Sequence, residues 1–153
     1  MQGKPQMKIA KAVYVKTPVK IVAAMSSLYV GFLERLSLTS SIKAVDNVDY
    51  ISNQKIIDGV AAKTITQLAI AGNINEELSI ALHPDLFINY GSGTSQSDKQ
   101  QKLANAGIPM VHCLDHLETS PLGRAEWIKF IACFYEKEKL ADSLFKLTEQ
   151  NYL

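Results

Sequence analysis

The sequence of 153 residues predicts an α/β fold: a three-layer sandwich with a mostly parallel sheet of about four or five strands, a Rossmann-like lobe, followed by a long C-terminal helix. Three observations lead to it. Short apolar runs at 19–25, 42–45, 86–89 and 108–114 have the length and continuity of strands covered on both faces. Runs of helical period separate them, across short turns marked by Pro, Gly, Asn or Asp. After Gly123 neither Gly nor Pro occurs, so nothing of that kind interrupts the helical period at 122–149.

Residues 1–7 read as a ragged start and 12–15 as a first strand, interrupted by Thr17-Pro18. The strand at 19–25 runs into Ser26 and Ser27, whose hydroxyls suit a helix N-cap. The helix at about 28–36 carries Leu28, Phe32, Leu33 and Leu36 on one face. A polar break at 37–41 precedes the strand at 42–45, and Asp46-Asn47 marks a turn. In the less legible stretch 46–72, Asn53 suits the cap of a short helix through Gly59, and 64–70 is strand-like up to Gly72.

Asn75 is the next N-cap, with Glu76 and Glu77 at the positive end of the helix dipole and Leu78, Ala81 and Leu82 forming an apolar stripe. Pro84 ends that helix and leads into the strand of Leu86, Phe87 and Ile88. A helix at 95–106 ends at Gly107, and a strand follows at 108–114. In the last segment Trp127, Ile128, Ile131, Phe134 and Tyr135 form a wide apolar face, and a break near 136–139 is the alternative to one continuous helix.

Nearly half of the residues are hydrophobic (47%), enough for the core of one domain. A net charge of +1, with no basic stripe, points away from nucleic acid and anionic membranes. No run is long and apolar enough to span a bilayer, and no apolar leader follows Met1. Cys113 and Cys133 lie in apolar patterns and read as buried free thiols, not a disulfide framework.

No nucleophile elbow, phosphate loop or dinucleotide fingerprint is present, so neither an enzyme nor a bound cofactor is expected. The glycine-bearing stretch 91–94 is a cleft loop or, less in keeping with its missing lysine, a phosphate cradle. The run 112–116 holds two histidines, a cysteine and an aspartate. On a strand, however, His112 and Cys113 point to opposite faces, and no third and fourth ligand is evident. A buried Cys113 beside a cleft-edge Asp115-His116 is the preferred reading. Trp127 is core or ligand platform. Tyr90, between a strand and Gly91, stands where an aromatic lines a crevice.

Four motifs carry a resemblance. They are Val19-Lys20-Ile21-Val22-Ala23-Ala24-Met25-Ser26-Ser27, Asn75-Glu76-Glu77, Ala81-Leu82-His83-Pro84-Asp85-Leu86 and Ala106-Gly107-Ile108-Pro109-Met110-Val111. In this order and spacing they resemble the N-terminal lobe of periplasmic binding proteins of the iron-siderophore, haem and cobalamin type. Pro121-Leu122-Gly123-Arg124-Ala125-Glu126-Trp127-Ile128-Lys129 resembles the start of the long backbone helix in Bacteroidetes-like members. The resemblance covers 12–149, leaves 47–72 unaligned, and has His83 where lysine is usual.

The resemblance implies two α/β lobes joined by one helix. Residues 1–120 would be the N-terminal lobe and 121–153 the interlobe backbone helix. The C-terminal lobe would be absent from this chain, and with it one wall of the ligand cleft. The implied function is the substrate-binding component of an ABC importer for an iron-siderophore, haem or cobalamin, periplasmic and lipid-anchored, its export signal absent from this chain. Carried over, Ser26, Ser27 and Tyr29, Tyr90, Gly91 and Ser92, and Asp115 and His116 would line the ligand cleft. Glu77, with Glu76 as its neighbour and alternative, would dock into an arginine pocket of the permease. A small Rossmann-like nucleotide-binding domain or enzyme is the alternative. An interaction module docking through the last helix is a further one, and in an isolated lobe that bared face would favour self-association.

Overall fold

A computed structural model describes residues 12–70, 73–91 and 100–152. In chain order the elements are β1 (Val22–Ala24), α1 (Ser27–Arg35), β2 (Ile42–Val45), α2 (Gln54–Ala61), β3 (Thr66–Gln67), β4 (Ala69–Ile70), β5 (Asn73–Ile74), α3 (Glu76–Leu82), β6 (Leu86–Tyr90), α4 (Gln101–Asn105), β7 (Met110–Cys113), α5 (Pro121–Cys133) and α6 (Glu138–Tyr152). Five strands form one sheet in the order β3-β2-β1-β6-β7, with every neighbouring pair parallel. β4 and β5 make a small separate antiparallel ladder.

Helices cover both faces of the sheet. Val22 and Ala24 of β1 pack with Tyr29, Leu33, Ile56, Ile128, Ile131 and Ala141, from α1, α2, α5 and α6. Ala23, one residue out of phase, packs on the other side with Leu103 of α4 and with Phe87 and Leu68; Ile80 and Leu82 of α3 flank them. The three residues of β1 are 0% exposed. Their small side chains let two helical layers close over the centre of the sheet.

The Pro84-Asp85 turn has a definite task. Asp85 Oδ2 accepts the backbone N–H of Lys20 at 3.0 Å and of Ile21 at 2.9 Å. It thereby holds the entry to β1 against the entry to β6, and the backbone N–H of Asp85 donates to the Ile21 carbonyl at 2.9 Å. His83 adopts φ 47°, so α3 ends in the left-handed region even without glycine. Gly107, at φ 75°, ends α4 in the same way.

Three expectations are corrected. Residues 12–15 form no strand; both sides of β1 are occupied by β2 and β6, and Val13 and Tyr14 are exposed. The single helix expected over 121–153 is two helices, α5 and α6, which pack against each other. The break falls at Glu136, with φ 57°, where the Phe134 carbonyl at the end of α5 accepts the N–H of Val19 at 3.0 Å. Folding back lets α6 bury Ala141 in the core, set Asp142 3.7 Å from Lys129, and place the Phe145 ring 4.1 Å from the same ammonium. Cys133 is exposed rather than buried; only Cys113 is inside. The ragged start at 1–7 and residues 95–99 of the expected fourth helix lie outside the described residues.

Asp85→Ala removes both charge-assisted bonds at the entry of β1. It is expected to lower unfolding free energy by about 1–3 kcal/mol, read as a drop in urea midpoint at unchanged slope. An unchanged midpoint would mean that the turn holds the strand by packing alone.

Candidate functional site

The chain builds β1, β2 and β3 outwards to one side, then returns to lay β6 and β7 on the other side of β1. The strand order therefore reverses between β1 and β6, and a crevice opens outside the carboxyl ends of such a pair. A cavity of about 500 Å³ lies there. Every loop that leaves the carboxyl end of β1, β2, β6 or β7 contributes to its lining: Met25, Ser26, Ser27 and Tyr29; Asp46, Asn47, Tyr50 and Ile51; Tyr90 and Gly91; Asp115 and His116.

Local chemistry fixes each loop. Ser26 is the N-cap of α1, its Oγ accepting the Leu28 N–H at 3.2 Å, and the Met25 N–H donates to the Ile88 carbonyl at 2.9 Å. Asn47 Oδ1 accepts the Asp49 N–H at 3.0 Å and so turns the chain after β2, which brings Tyr50 to the rim. The Gly91 N–H donates to the Cys113 carbonyl at 2.9 Å, tying the ends of β6 and β7 together.

The floor is a buried polar cluster. The Tyr29 hydroxyl donates to Asp115 Oδ1 at 2.8 Å, and both residues are buried. Burial holds the Tyr29 phenol well above its ordinary range, and the bond to Asp115 adds to the effect. Burial also pushes the Cys113 thiol up to about 12; the Asp115 carboxyl raises it further and the Tyr29 hydroxyl partly offsets this. Cys113 is therefore a protonated, unreactive thiol. Burial likewise raises the pKa of Asp46 on the cavity wall. Tyr50 and Tyr90, at 73% and 53% exposure, stand on the rim as accessible aromatic faces.

Of the residues expected to line a cleft, Ser26, Ser27, Tyr29, Tyr90, Gly91, Asp115 and His116 all come together at this cavity, while Ser92 and the rest of the glycine-bearing loop at 92–94 lie outside the described residues. Tyr29 is buried, at 1% exposure, and anchors Asp115 through its hydroxyl. Sequence reasoning missed Met25, Asp46, Asn47, Tyr50 and Ile51. The signal was available: Asp46-Asn47 follows a strand directly, as Ser26-Ser27 does. Among the described residues no three His, Cys, Asp or Glu side chains converge on a common point. His112 and Trp127 face a second groove, where the Trp127 Nε1–H donates to Glu118 Oε1 at 3.2 Å and the indole packs edge-on against Phe130.

Glu76 and Glu77 are not in the cavity. They open α3, whose N-cap Asn75 accepts the Leu78 N–H on its side chain at 3.0 Å and donates its own N–H to the Leu68 carbonyl at 2.7 Å. The Leu68 N–H in turn bonds the Val45 carbonyl at the carboxyl end of β2, so the first turn of α3 lies at the same end of the sheet as the cavity. Glu76 Oε2 is 3.2 Å from the Lys102 ammonium, whereas Glu77 is exposed and makes no ion pair among the described residues.

This arrangement is found in known proteins. A "possible" iron-binding (periplasmic solute-binding) protein from Staphylococcus epidermidis superposes with a TM-score of 0.68, 22% identity, and coverage of 88% of this chain and 49% of that one. The chain has the fold of periplasmic solute-binding proteins. The siderophore-binding protein BauB, solved with ferric iron and two acinetobactin molecules, superposes with a TM-score of 0.69, 20% identity, and coverage of 90% and 48%. The periplasmic vitamin B12 binding protein BtuF of Vibrio cholerae gives a TM-score of 0.57, 16% identity, and coverage of 87% and 48%. In sequence, an uncharacterized lipoprotein of Methanocaldococcus jannaschii is 29% identical over 145 residues, 91% of this chain and 35% of its own length. No family model matches. The chain thus spans about half or less of the proteins it resembles.

Two predictions test the site. Tyr29→Phe keeps the ring and removes the donor to Asp115, so it is expected to cost about 1–3 kcal/mol of stability. A melting temperature equal to the parent's would show that the buried bond contributes nothing. For Asp46 the folded chain holds the proton more tightly than the unfolded chain does, so the carboxyl costs stability once pH rises through its folded pKa. Asp46→Asn is therefore expected to melt higher than the parent at pH 7, with the gap closing near pH 3. Equal melting at both pH values would contradict the assignment.

Proposed function

We propose that this chain is the N-terminal ligand-binding lobe of an extracytoplasmic solute-binding protein. It serves an ABC importer whose cargo is an iron chelate, haem or a corrinoid. The observation that carries this reading is the cavity at the switch point between β1 and β6, lined from four strand ends in a fold shared with solute-binding proteins. Its lining offers aromatic faces, hydroxyls and carboxyls. The ligand sits between this wall and a second lobe supplied by the rest of the protein, which closes on it. A lipoprotein relative supports membrane anchoring of the whole protein outside the cytoplasm.

Docking on the permease falls to Glu77. It is exposed and makes no ion pair among the described residues, so it is ready for a bidentate arginine contact. Glu76 is held by Lys102 and supports the helix start instead.

In cells that depend on the importer, Glu77→Arg is expected to lower uptake by about tenfold or more, the effect of ~1.4 kcal/mol. Ligand-induced amide shifts in the purified chain should be unaffected, and Glu76→Gln should change uptake much less. Normal uptake with Glu77→Arg would remove Glu77 from the docking surface. Absence of amide shifts at Ser26, Tyr50 and Gly91 across a broad panel of siderophores, haem and corrinoids would overturn the cleft assignment.

A further inference from the structure

Resting on that reading, we propose that this wall of the cleft selects by charge. It accepts neutral or cationic chelates with apolar or π faces, and rejects oxyanions and polyanionic chelates.

Among the described residues the lining includes two carboxyl side chains, Asp46 and Asp115, and neither lysine nor arginine. Recognition of a polyanion relies on guanidinium or ammonium donors, which form the strong charge-assisted bonds. Among the described lining residues His116 is the one basic side chain, and it is exposed. Asp115 is fixed. Tyr29 occupies Oδ1, and among the described residues no hydrogen bond reaches the second carboxyl oxygen, although the residue lines the cavity. That oxygen remains an acceptor on the lining, and rotating the carboxyl breaks a buried bond. A ligand bearing N–H, O–H or ammonium groups satisfies it, whereas a ligand presenting anionic oxygens meets like charge at short range.

The rim gives the second half of the preference. Tyr50 leaves the end of β2 and Tyr90 the end of β6, so the two aromatics come from opposite sides of β1. Exposed phenol rings at such positions offer apolar contact and a negative π face, which attracts cations and is indifferent to neutral hydrocarbon. The Ser26 oxygen already accepts the Leu28 N–H, which leaves its hydroxyl hydrogen as a neutral donor suited to a carbonyl or hydroxamate oxygen.

The test is a heteronuclear NMR titration of the isotopically labelled 153-residue chain with four probes, the trivalent metal being gallium so that resonances stay visible. The probes are cationic gallium desferrioxamine B, neutral gallium desferrichrome, trianionic gallium enterobactin, and molybdate. The first two are expected to shift the amides of Ser26, Tyr50 and Gly91 with dissociation constants about tenfold or more below those of the anionic pair. Asp46→Asn should narrow that ratio. Anionic probes binding at the same amides as tightly as the others would overturn the charge preference while leaving the cleft in place. Silence of these amides with all four probes would instead refute the ligand-binding reading, and the charge preference with it.

Discussion

The structure depends on one short strand. β1 has only three residues, yet it is flanked by β2 and β6 and covered by helices on both faces. Three residues offer few ladder bonds, so the strand is held from outside. Asp85 takes the two N–H groups just before it, the end of α5 takes the N–H of Val19, and the Met25 N–H just after it bonds the Ile88 carbonyl. These partners come from two separate parts of the chain, the turn into β6 with β6 itself and the end of α5. The cavity follows from the same arrangement. Because β1 ends sharply at Ala24 and Ser26 caps α1 two residues later, the loop between them is pinned over the switch point.

Much of this was legible in the sequence, for identifiable reasons. Mostly apolar runs gave β2, β6 and β7, because strands of a covered parallel sheet keep few polar positions. Asn53 and Asn75 announced their helices because capping is a local interaction, read from a few residues. Ser26, Ser27, Tyr29, Asp115 and His116, carried over from the family resemblance, and Tyr90 and Gly91 at the end of β6 all stand at the cavity.

What escaped was settled by distant contacts. A break near 136–139 stood only as the alternative to one helix, since no glycine or proline there decides between them, and the structure takes that alternative at Glu136. The break is imposed by Val19, more than a hundred residues earlier, and by the core volume that Ala141 fills. The stretch 64–70 looked like one strand because its pattern is continuous. It divides because Leu68 is drawn into the core beside Phe87, so that β3 extends the main sheet and β4 turns away to meet β5. Tyr50 was missed because its loop is shaped by Asn47 and by Gln67, whose Oε1 accepts the Val48 N–H at 3.2 Å, and the second of these is invisible locally.

The tie from Asn75 through Leu68 to Val45 has a consequence for the direction of approach. It fixes the first turn of α3 to the strand whose far end carries Asp46, with only backbone hydrogen bonds between them. The exposed acid and the mouth of the cavity therefore belong to one rigid rim. A protein that grips Glu77 approaches the same end of the sheet at which the cavity opens.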